Sequence, residues 1–73
     1  MNVYAERGTK IKYIGCTDSQ VEGYHAYHDD PRPILTENSI YTVERTEAHD
    51  WYTHVYIKEH PGKFNSVCFD DVD

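Results

Sequence analysis

Four short runs of β-forming residues, none with helical spacing of apolar positions, place the strongest constraint on the fold of this chain. In the clearest run, Trp51–Lys58, apolar or β-branched residues occupy every second position. The other runs are Lys10–Gly15, Ser39–Arg45 and Phe64–Phe69. Because successive side chains of a strand point to opposite faces, this alternation predicts four half-buried strands. The predicted core is the inward-facing set Ile11, Tyr13, Tyr41, Val43, Val55, Ile57, Val67 and Phe69.

The segments between these runs differ in length and in turn chemistry. Thr46–Asp50 is a polar loop of hairpin length between the second and third runs. His60–Lys63 contains a Pro-Gly pair, which is typical of a tight turn because proline pre-sets φ and glycine accepts positive φ. The long segment Cys16–Asn38 includes Asp29–Pro33, whose two prolines prevent a continuous helix.

One long loop followed by a three-stranded meander with short turns predicts an all-β fold. We expect a small SH3-like antiparallel barrel with a long loop between the first two strands, formed by residues 1–73 as a single domain. Near closure favours the barrel because it leaves few unpaired strand edges. One alternative stays open, namely an open sheet of three or four strands with a short helix in the long loop.

Two motifs in the second half of the chain form a recognisable pattern. Leu35–Val43 has a leucine, a polar turn and Tyr-x-Val, and Pro61–Phe69 has a Pro-Gly turn followed by Phe-Asn-Ser-Val-x-Phe. In these motifs the chain resembles a group of small bacterial and phage-encoded SH3-like barrel proteins of unknown function. The group usually has glycine where Asn38 or Ser39 stands here. The resemblance implies a phage or prophage accessory protein and assigns no chemistry.

Charge and hydropathy argue against several classes of partner. The formal net charge is −6, and the seven basic residues are scattered along the chain. Proteins that bind nucleic acid need clustered Lys and Arg to neutralise phosphates, so nucleic acid is not expected as a partner. No apolar run approaches the ~18 residues of a membrane span, and the first residues lack the apolar core of a signal peptide. The expected compartment is the cytoplasm, without membrane association.

The two cysteines, Cys16 and Cys68, are expected to be reduced. They lie far apart in the sequence, lack the C-x-x-C spacing of zinc or redox sites, and would stay reduced in the cytoplasm. If Val67 and Phe69 face inward, the same alternation turns Cys68 outward, near His54. We therefore expect no disulfide, no metal and no cofactor.

The most distinctive stretch is Tyr24–Asp30, which places tyrosines and histidines in a polar loop bounded by proline. Tyrosine and tryptophan are enriched at the hot spots of protein interfaces, and the ten aromatic residues of the chain exceed what so small a core needs. The alternative is that these rings belong to the core. The pattern favours a partner-binding aromatic face with at least two exposed side chains. Its candidate residues are Tyr24, His25, Tyr27, His28, Trp51 and Tyr52.

Metal binding and catalysis have weaker support in the sequence. His25 and His28, with Asp29 or Asp30, could ligate a divalent metal, but two histidines three apart in a loop need further ligands. The sequence has neither a Gly-rich phosphate loop nor a Gly-x-Ser-x-Gly motif. The protein is therefore not expected to be an enzyme.

These observations together favour a non-enzymatic protein-binding module, a phage or prophage accessory protein that acts on a host or phage protein. The alternative is an acidic mimic of nucleic acid that inhibits a DNA- or RNA-binding host protein. Added salt separates the two hypotheses, because a mimic loses affinity steeply with salt whereas an aromatic interface does not. The acidic face of the alternative would consist of Asp29, Asp30, Glu44, Glu47, Asp50, Asp70 and Asp71.

Overall fold

A computed structural model describes residues 1–22, 28–50 and 52–72, and these contain five strands and two short helical segments. The strands are β1 (Lys10–Tyr13), β2 (Ile40–Ala48), β3 (Thr53–Ile57), β4 (Phe64–Asn65) and β5 (Phe69–Asp71). Helix α1 (Asp18–Glu22) lies in the long segment after β1, and a 3₁₀ turn (Ser66–Cys68) joins β4 to β5. No helix among these residues is long and apolar enough to cross a bilayer.

All strand pairs are antiparallel, in the order β4-β3-β2-β1-β5. Strand β2 serves both halves of the sheet, because Ile40–Thr42 pair with β1 and Val43–Ala48 pair with β3. The register shifts between Val43 and Arg45, so a bulge at Glu44 bends the strand where it changes partner.

The structure confirms the predicted all-β antiparallel fold. Within the described part of the chain the sheet is open, since β4 and β5 each pair there with a single neighbour. The alternative predicted from the sequence also had an open sheet and a short helix in the long segment, and the structure has both features. Strand β2 continues three residues past its predicted end at Arg45, so that most of the predicted loop Thr46–Asp50 is strand.

The core is built from all five strands, and seven of the eight predicted core residues are buried. Burial of apolar area supplies ~25 cal/mol per Å², which makes this cluster the main source of stability in so short a chain. Three further core residues were not predicted as inward-facing. They are Leu35, Phe64 and Cys68.

The prediction for Val67 is wrong, because its side chain is 50% exposed. Strand β4 ends at Asn65, whose side-chain oxygen accepts a hydrogen bond from the Val67 N–H at 3.2 Å and caps the 3₁₀ turn. A 3₁₀ helix has three residues per turn, whereas side chains in a strand repeat every two residues. The strand alternation is therefore lost across Ser66–Cys68. The turn therefore leaves Val67 outside and buries Cys68.

Cys68 forms a disulfide with Cys16, which contradicts the expectations of reduced cysteines and of an outward-facing Cys68. The pairing of β1 with β5 creates this contact between residues 52 positions apart. The Ile14 N–H donates to the Cys68 carbonyl at 2.9 Å, and Cys16 follows two residues later. The disulfide therefore ties the start of the long segment to the 3₁₀ turn.

The far end of the long segment is fixed to the turn before β4. The Asp29 N–H donates to the Lys63 carbonyl at 2.8 Å, and the Lys63 N–H donates to Asp29 Oδ2 at 2.9 Å. Gly62 adopts a φ of +121°, the positive φ that the Pro-Gly pair predicted for its glycine. This docking brings His28, the residue before Asp29, over strand β3.

Candidate functional site

Four aromatic side chains meet where the end of the β2–β3 hairpin faces the long segment. We call His28, His49, Tyr52 and His54 the His–Tyr cluster. His49 stacks on Tyr52 with ring centroids 4.6 Å apart and an interplanar angle of 23°. The remaining contacts are edge-on: the ring centroid of His54 lies 4.7 Å from that of His28, 5.2 Å from His49 and 5.1 Å from Tyr52.

The hairpin register brings His49 and His54 of the cluster together, with Glu47 beside them. Glu47 lies directly opposite His54, and the His49 N–H donates to the Tyr52 carbonyl at 2.8 Å to close the hairpin. His49 follows Glu47 by two residues, which is the spacing that places side chains on one face of a strand. Strand β3 is buried on both faces, because the core covers Val55 and the long segment covers His54.

His28 and His54 form a buried imidazole pair. Their Nδ1 atoms lie 3.0 Å apart, and their residues are 8% and 4% exposed. Burial, followed by the nearby His54 and Lys63, lowers the pKa of His28 to about 4. Burial and then the Lys63 ammonium also lower the pKa of His54. Both rings are therefore neutral at pH 7, and one donates to the other.

The exposed rim of the cluster carries opposite charges. The guanidinium carbon of Arg45 lies 3.8 Å from the Tyr56 ring centroid, and its Nη1 is 3.4 Å from Glu47 Oε2. The other carboxylate oxygen, Oε1, lies 3.2 Å from His49 Nε2. The hydrogen bonds with His49 and then Arg45 lower the pKa of Glu47. Glu47 therefore presents an ionised carboxylate beside the aromatic rings.

A groove of about 260 Å³ runs beside the cluster, between the hairpin end and the 3₁₀ turn. Its walls combine aromatic, apolar and acidic side chains, so it offers both an apolar surface and a negative charge to a ligand. The lining residues are Val3, His49, Asp50, Tyr52, Thr53, Asn65, Ser66 and Val67.

A comparison with protein families identifies the relatives of this chain. A family model described as Bacteriophage T4 protein Y07B matches residues 10–72. The chain belongs to the Y07B family. The match begins with β1 and ends just after β5, so it spans the whole sheet and the His–Tyr cluster. No curated protein and no solved structure matches the chain. Membership in a phage protein family confirms the expected relation to small phage proteins.

The structure of this Y07B family member brings together two of the six predicted partner-binding residues. The ring centroids of His28 and Tyr52 lie 5.5 Å apart, in an edge-on contact. The other four predicted residues lie outside the described part of the chain. They are Tyr24, His25, Tyr27 and Trp51.

The two carboxylates considered from the sequence as metal ligands bind other groups of the protein. The Asp29 carboxylate caps the Lys63 N–H, and the Asp30 carboxylate binds the Arg32 guanidinium. His25 lies outside the described residues. The loop arrangement of His28 with these two carboxylates therefore has no support in the structure.

The acidic residues of the nucleic-acid-mimic hypothesis lie on several elements of the fold. Asp70 and Asp71 lie on edge strand β5, whereas Asp29 lies beside Lys63, next to the opposite edge strand β4. Glu44 is paired with Arg7, and Glu47 with Arg45. Arginine therefore offsets part of the charge of this set, and the mimic hypothesis stays a prediction.

Sequence reasoning missed His49 and His54 as site residues. His49 lay in a predicted loop, and His54 on a strand face taken to be exposed. The Glu47-x-His49 spacing was a usable signal, because both side chains share a face once β2 is extended to Ala48. The pairing of His54 with His28 had no local signal, since it depends on how the long segment docks.

Proposed function

We propose that this Y07B family member is a non-enzymatic protein-binding module, a phage or prophage accessory protein that acts on a host or phage protein. The groove beside the His–Tyr cluster carries the proposal. Its walls join the stacked His49 and Tyr52 rings to the exposed Val67 side chain. Aromatic anchors packed with apolar side chains are typical of the energetic centre of a protein interface.

We also propose that the domain is SH3-like. The support is the strand order β5-β1-β2-β3-β4, with one long connection between the first two strands and short ones thereafter. SH3-type barrels bind extended peptides in aromatic grooves beside the long first loop. In this chain, His28 of that connection contacts Tyr52 at the groove.

The groove fits a short, extended segment of a partner protein better than a large flat surface. A volume of about 260 Å³ accommodates one or two side chains. Asp50 lines the groove and the net charge of the chain is −6, so a basic residue beside an apolar one complements it. We therefore propose an apolar anchor flanked by Lys or Arg as the recognised feature.

The chemistry of the cysteines supports the non-enzymatic part of the proposal. Cys16 and Cys68 are joined, so in this state neither sulfur is the thiolate that a nucleophilic mechanism needs. The hydrogen bond between His28 and His54 joins two imidazoles, which is a structural pairing.

The test is affinity capture with the immobilised protein, followed by titration with the purified partner at two salt concentrations. Tyr52→Ala should weaken binding by ~2 kcal/mol, about 30-fold. Moderate salt should lower the affinity only modestly, because a single basic residue of the partner is screened while the aromatic and apolar contacts are not. A circular dichroism spectrum must show that the variant is folded. Full affinity in folded Tyr52→Ala, or a steep loss of affinity with salt, would contradict the proposal.

A further inference from the structure

We propose that Glu47, His49 and His54 form a binding site for a divalent transition-metal ion of the Zn²⁺ class. Each residue has one candidate ligand atom, and these atoms all lie within 4.8 Å of one another. Two imidazoles and one carboxylate are donors that Zn²⁺ accepts in proteins. The inference is independent of protein binding, because it needs no partner.

The backbone of the hairpin defines the geometry of this site. Glu47 and His54 are opposite each other in the antiparallel register, and directly opposed residues have Cβ atoms ~4.5–5.5 Å apart. The hydrogen bond from the His49 N–H to the Tyr52 carbonyl fixes the end of the hairpin. Stacking on Tyr52 then orients the His49 ring. Three ligands are therefore held by one rigid element.

Two of the ligand atoms already have a suitable separation. Glu47 Oε1 and His49 Nε2 lie 3.2 Å apart in a hydrogen bond. A bound metal ion would replace the proton that they share, and His49 would then keep its proton on Nδ1. Zinc bonds of ~2.0–2.1 Å in a tetrahedral arrangement place neighbouring ligands ~3.3 Å apart. Arg45 holds the other oxygen, Oε2, so that Oε1 is left facing the imidazole. The side chains of Glu47 and His49 are 42% and 39% exposed, which gives an ion access from solvent.

His28 completes the site as a positioning residue. A hydrogen bond between two Nδ1 atoms requires one ring to donate and the other to accept. With His54 as the donor, its Nε2 keeps the lone pair that binds a metal. Histidine ligands in metal sites commonly have their second nitrogen fixed by such an outer partner. The buried pair therefore provides an oriented, neutral ligand.

Three protein ligands leave one position of a tetrahedral zinc ion open. In proteins this position is taken by water or by an added ligand. The exposed side of the site, at His49 and Glu47, is where such a ligand would bind. The site is therefore accessible to small molecules and to side chains of other proteins.

The experiment is calorimetric titration of untagged, disulfide-intact protein with Zn²⁺ alone. We expect one equivalent to bind. Loss of a residue that only supports a ligand lowers metal affinity by roughly 10- to 100-fold. His49 is itself a proposed ligand, so His49→Ala should lower the affinity by at least about tenfold. His49 is exposed, so its removal should leave the fold intact. Glu47→Gln provides a second ligand variant, with the same expected loss.

His60→Ala is the matched control, since His60 packs against Tyr41, outside the cluster. It should retain wild-type affinity and stoichiometry. Histidine side-chain ¹⁵N resonances supply an independent readout, and those of His49 and His54 should shift on addition of Zn²⁺. Absence of binding, or a Zn²⁺ affinity that is equal in His49→Ala and His60→Ala, would overturn the proposal.

Discussion

The Nδ1 atom of His28 lies 3.0 Å from the Nδ1 atom of His54, across 26 positions of sequence. This one hydrogen bond joins the long first connection of the sheet to strand β3. Two hydrogen bonds between Asp29 and Lys63 hold the neighbouring part of the same segment in place. The His–Tyr cluster, which lies beside the groove, includes His28 because these two segments are held together.

The stability of the fold should fall as the pH drops from about 6.5 towards 4. Above pH 6.5, His28 is neutral in both the folded and unfolded states. Below it, the unfolded chain binds a proton that the folded chain does not, because the folded pKa is about 4. The loss should approach ~3 kcal/mol at pH 4, and more where His54 contributes.

Urea denaturation of the wild type and His28→Gln between pH 7 and pH 4 measures this dependence. The variant has no titrating group at this position, so its stability should change less with pH than that of the wild type. Carboxylates titrate in both proteins and cancel in the difference. Parallel pH profiles for the two proteins would show that the buried imidazole pair does not control acid stability.

Reduction of the Cys16–Cys68 disulfide should destabilise the protein by about 4 kcal/mol. The cross-link closes a loop of 52 residues, and release of such a loop raises the entropy of the unfolded chain. Cys16→Ala should lose the same stability and should be insensitive to dithiothreitol. Thermal melting with and without reductant measures both effects. A wild-type melting temperature unaffected by reductant would mean that the cysteines do not cross-link in solution.

Gly62→Ala should destabilise the protein by ~2–3 kcal/mol. Gly62 has a φ of +121°, and an added Cβ would lie 2.9 Å from Asp29 Oδ2. The substitution therefore combines backbone strain with displacement of the side chain that caps Lys63. Gly8→Ala is the matched control, because Gly8 also has positive φ, +93°, but no atom within 4 Å of the added Cβ.

The difference between the two glycine variants reports the close contacts of the Cβ added at Gly62, which would lie 2.9 Å from Asp29 Oδ2 and 3.3 Å from Phe64 Cζ. The His28 resonances distinguish the Asp29 contact from the Phe64 contact. Gly8→Ala should cost only ~1–2 kcal/mol from its backbone conformation. Gly62→Ala should also shift the His28 resonances, since Asp29 positions its neighbour. Equal losses of stability, with His28 unmoved, would show that Asp29 does not hold the long segment in place.

Period-two alternation predicted β1, the first part of β2, β3 and most of the core, because these strands bury one face in the usual way. It failed after Asn65, where a side-chain cap starts a 3₁₀ turn and changes which residues face inward. No local pattern distinguishes such a turn from a continuing strand when the residues, as in Ser66–Cys68, suit both.

The candidate site was harder to predict from the sequence than the fold was. Tyr52 and His28 were proposed from residue type alone, and the structure does place them in contact. His54 was missed because its burial results from the docking of a segment 26 positions away. The disulfide was missed for the same reason, since the pairing of β1 with β5 has no local signal.

Two substitutions of exposed residues test whether the groove beside the His–Tyr cluster binds a partner protein, as proposed. Val67→Asp and Ile40→Asp form a matched pair, because both side chains are exposed, at 50% and 47%. Val67 lines the groove, whereas Ile40 lies where β2 pairs with β1. Each substitution should leave the fold intact, since neither side chain belongs to the core.

The decisive measurement is the affinity of these two variants for the captured partner, by calorimetry at a fixed salt concentration. Partner binding in the groove predicts that Val67→Asp weakens binding by ~2 kcal/mol, about 30-fold, and that Ile40→Asp binds like the wild type. Equal affinities for Val67→Asp and the wild type, or a loss confined to Ile40→Asp, would contradict it.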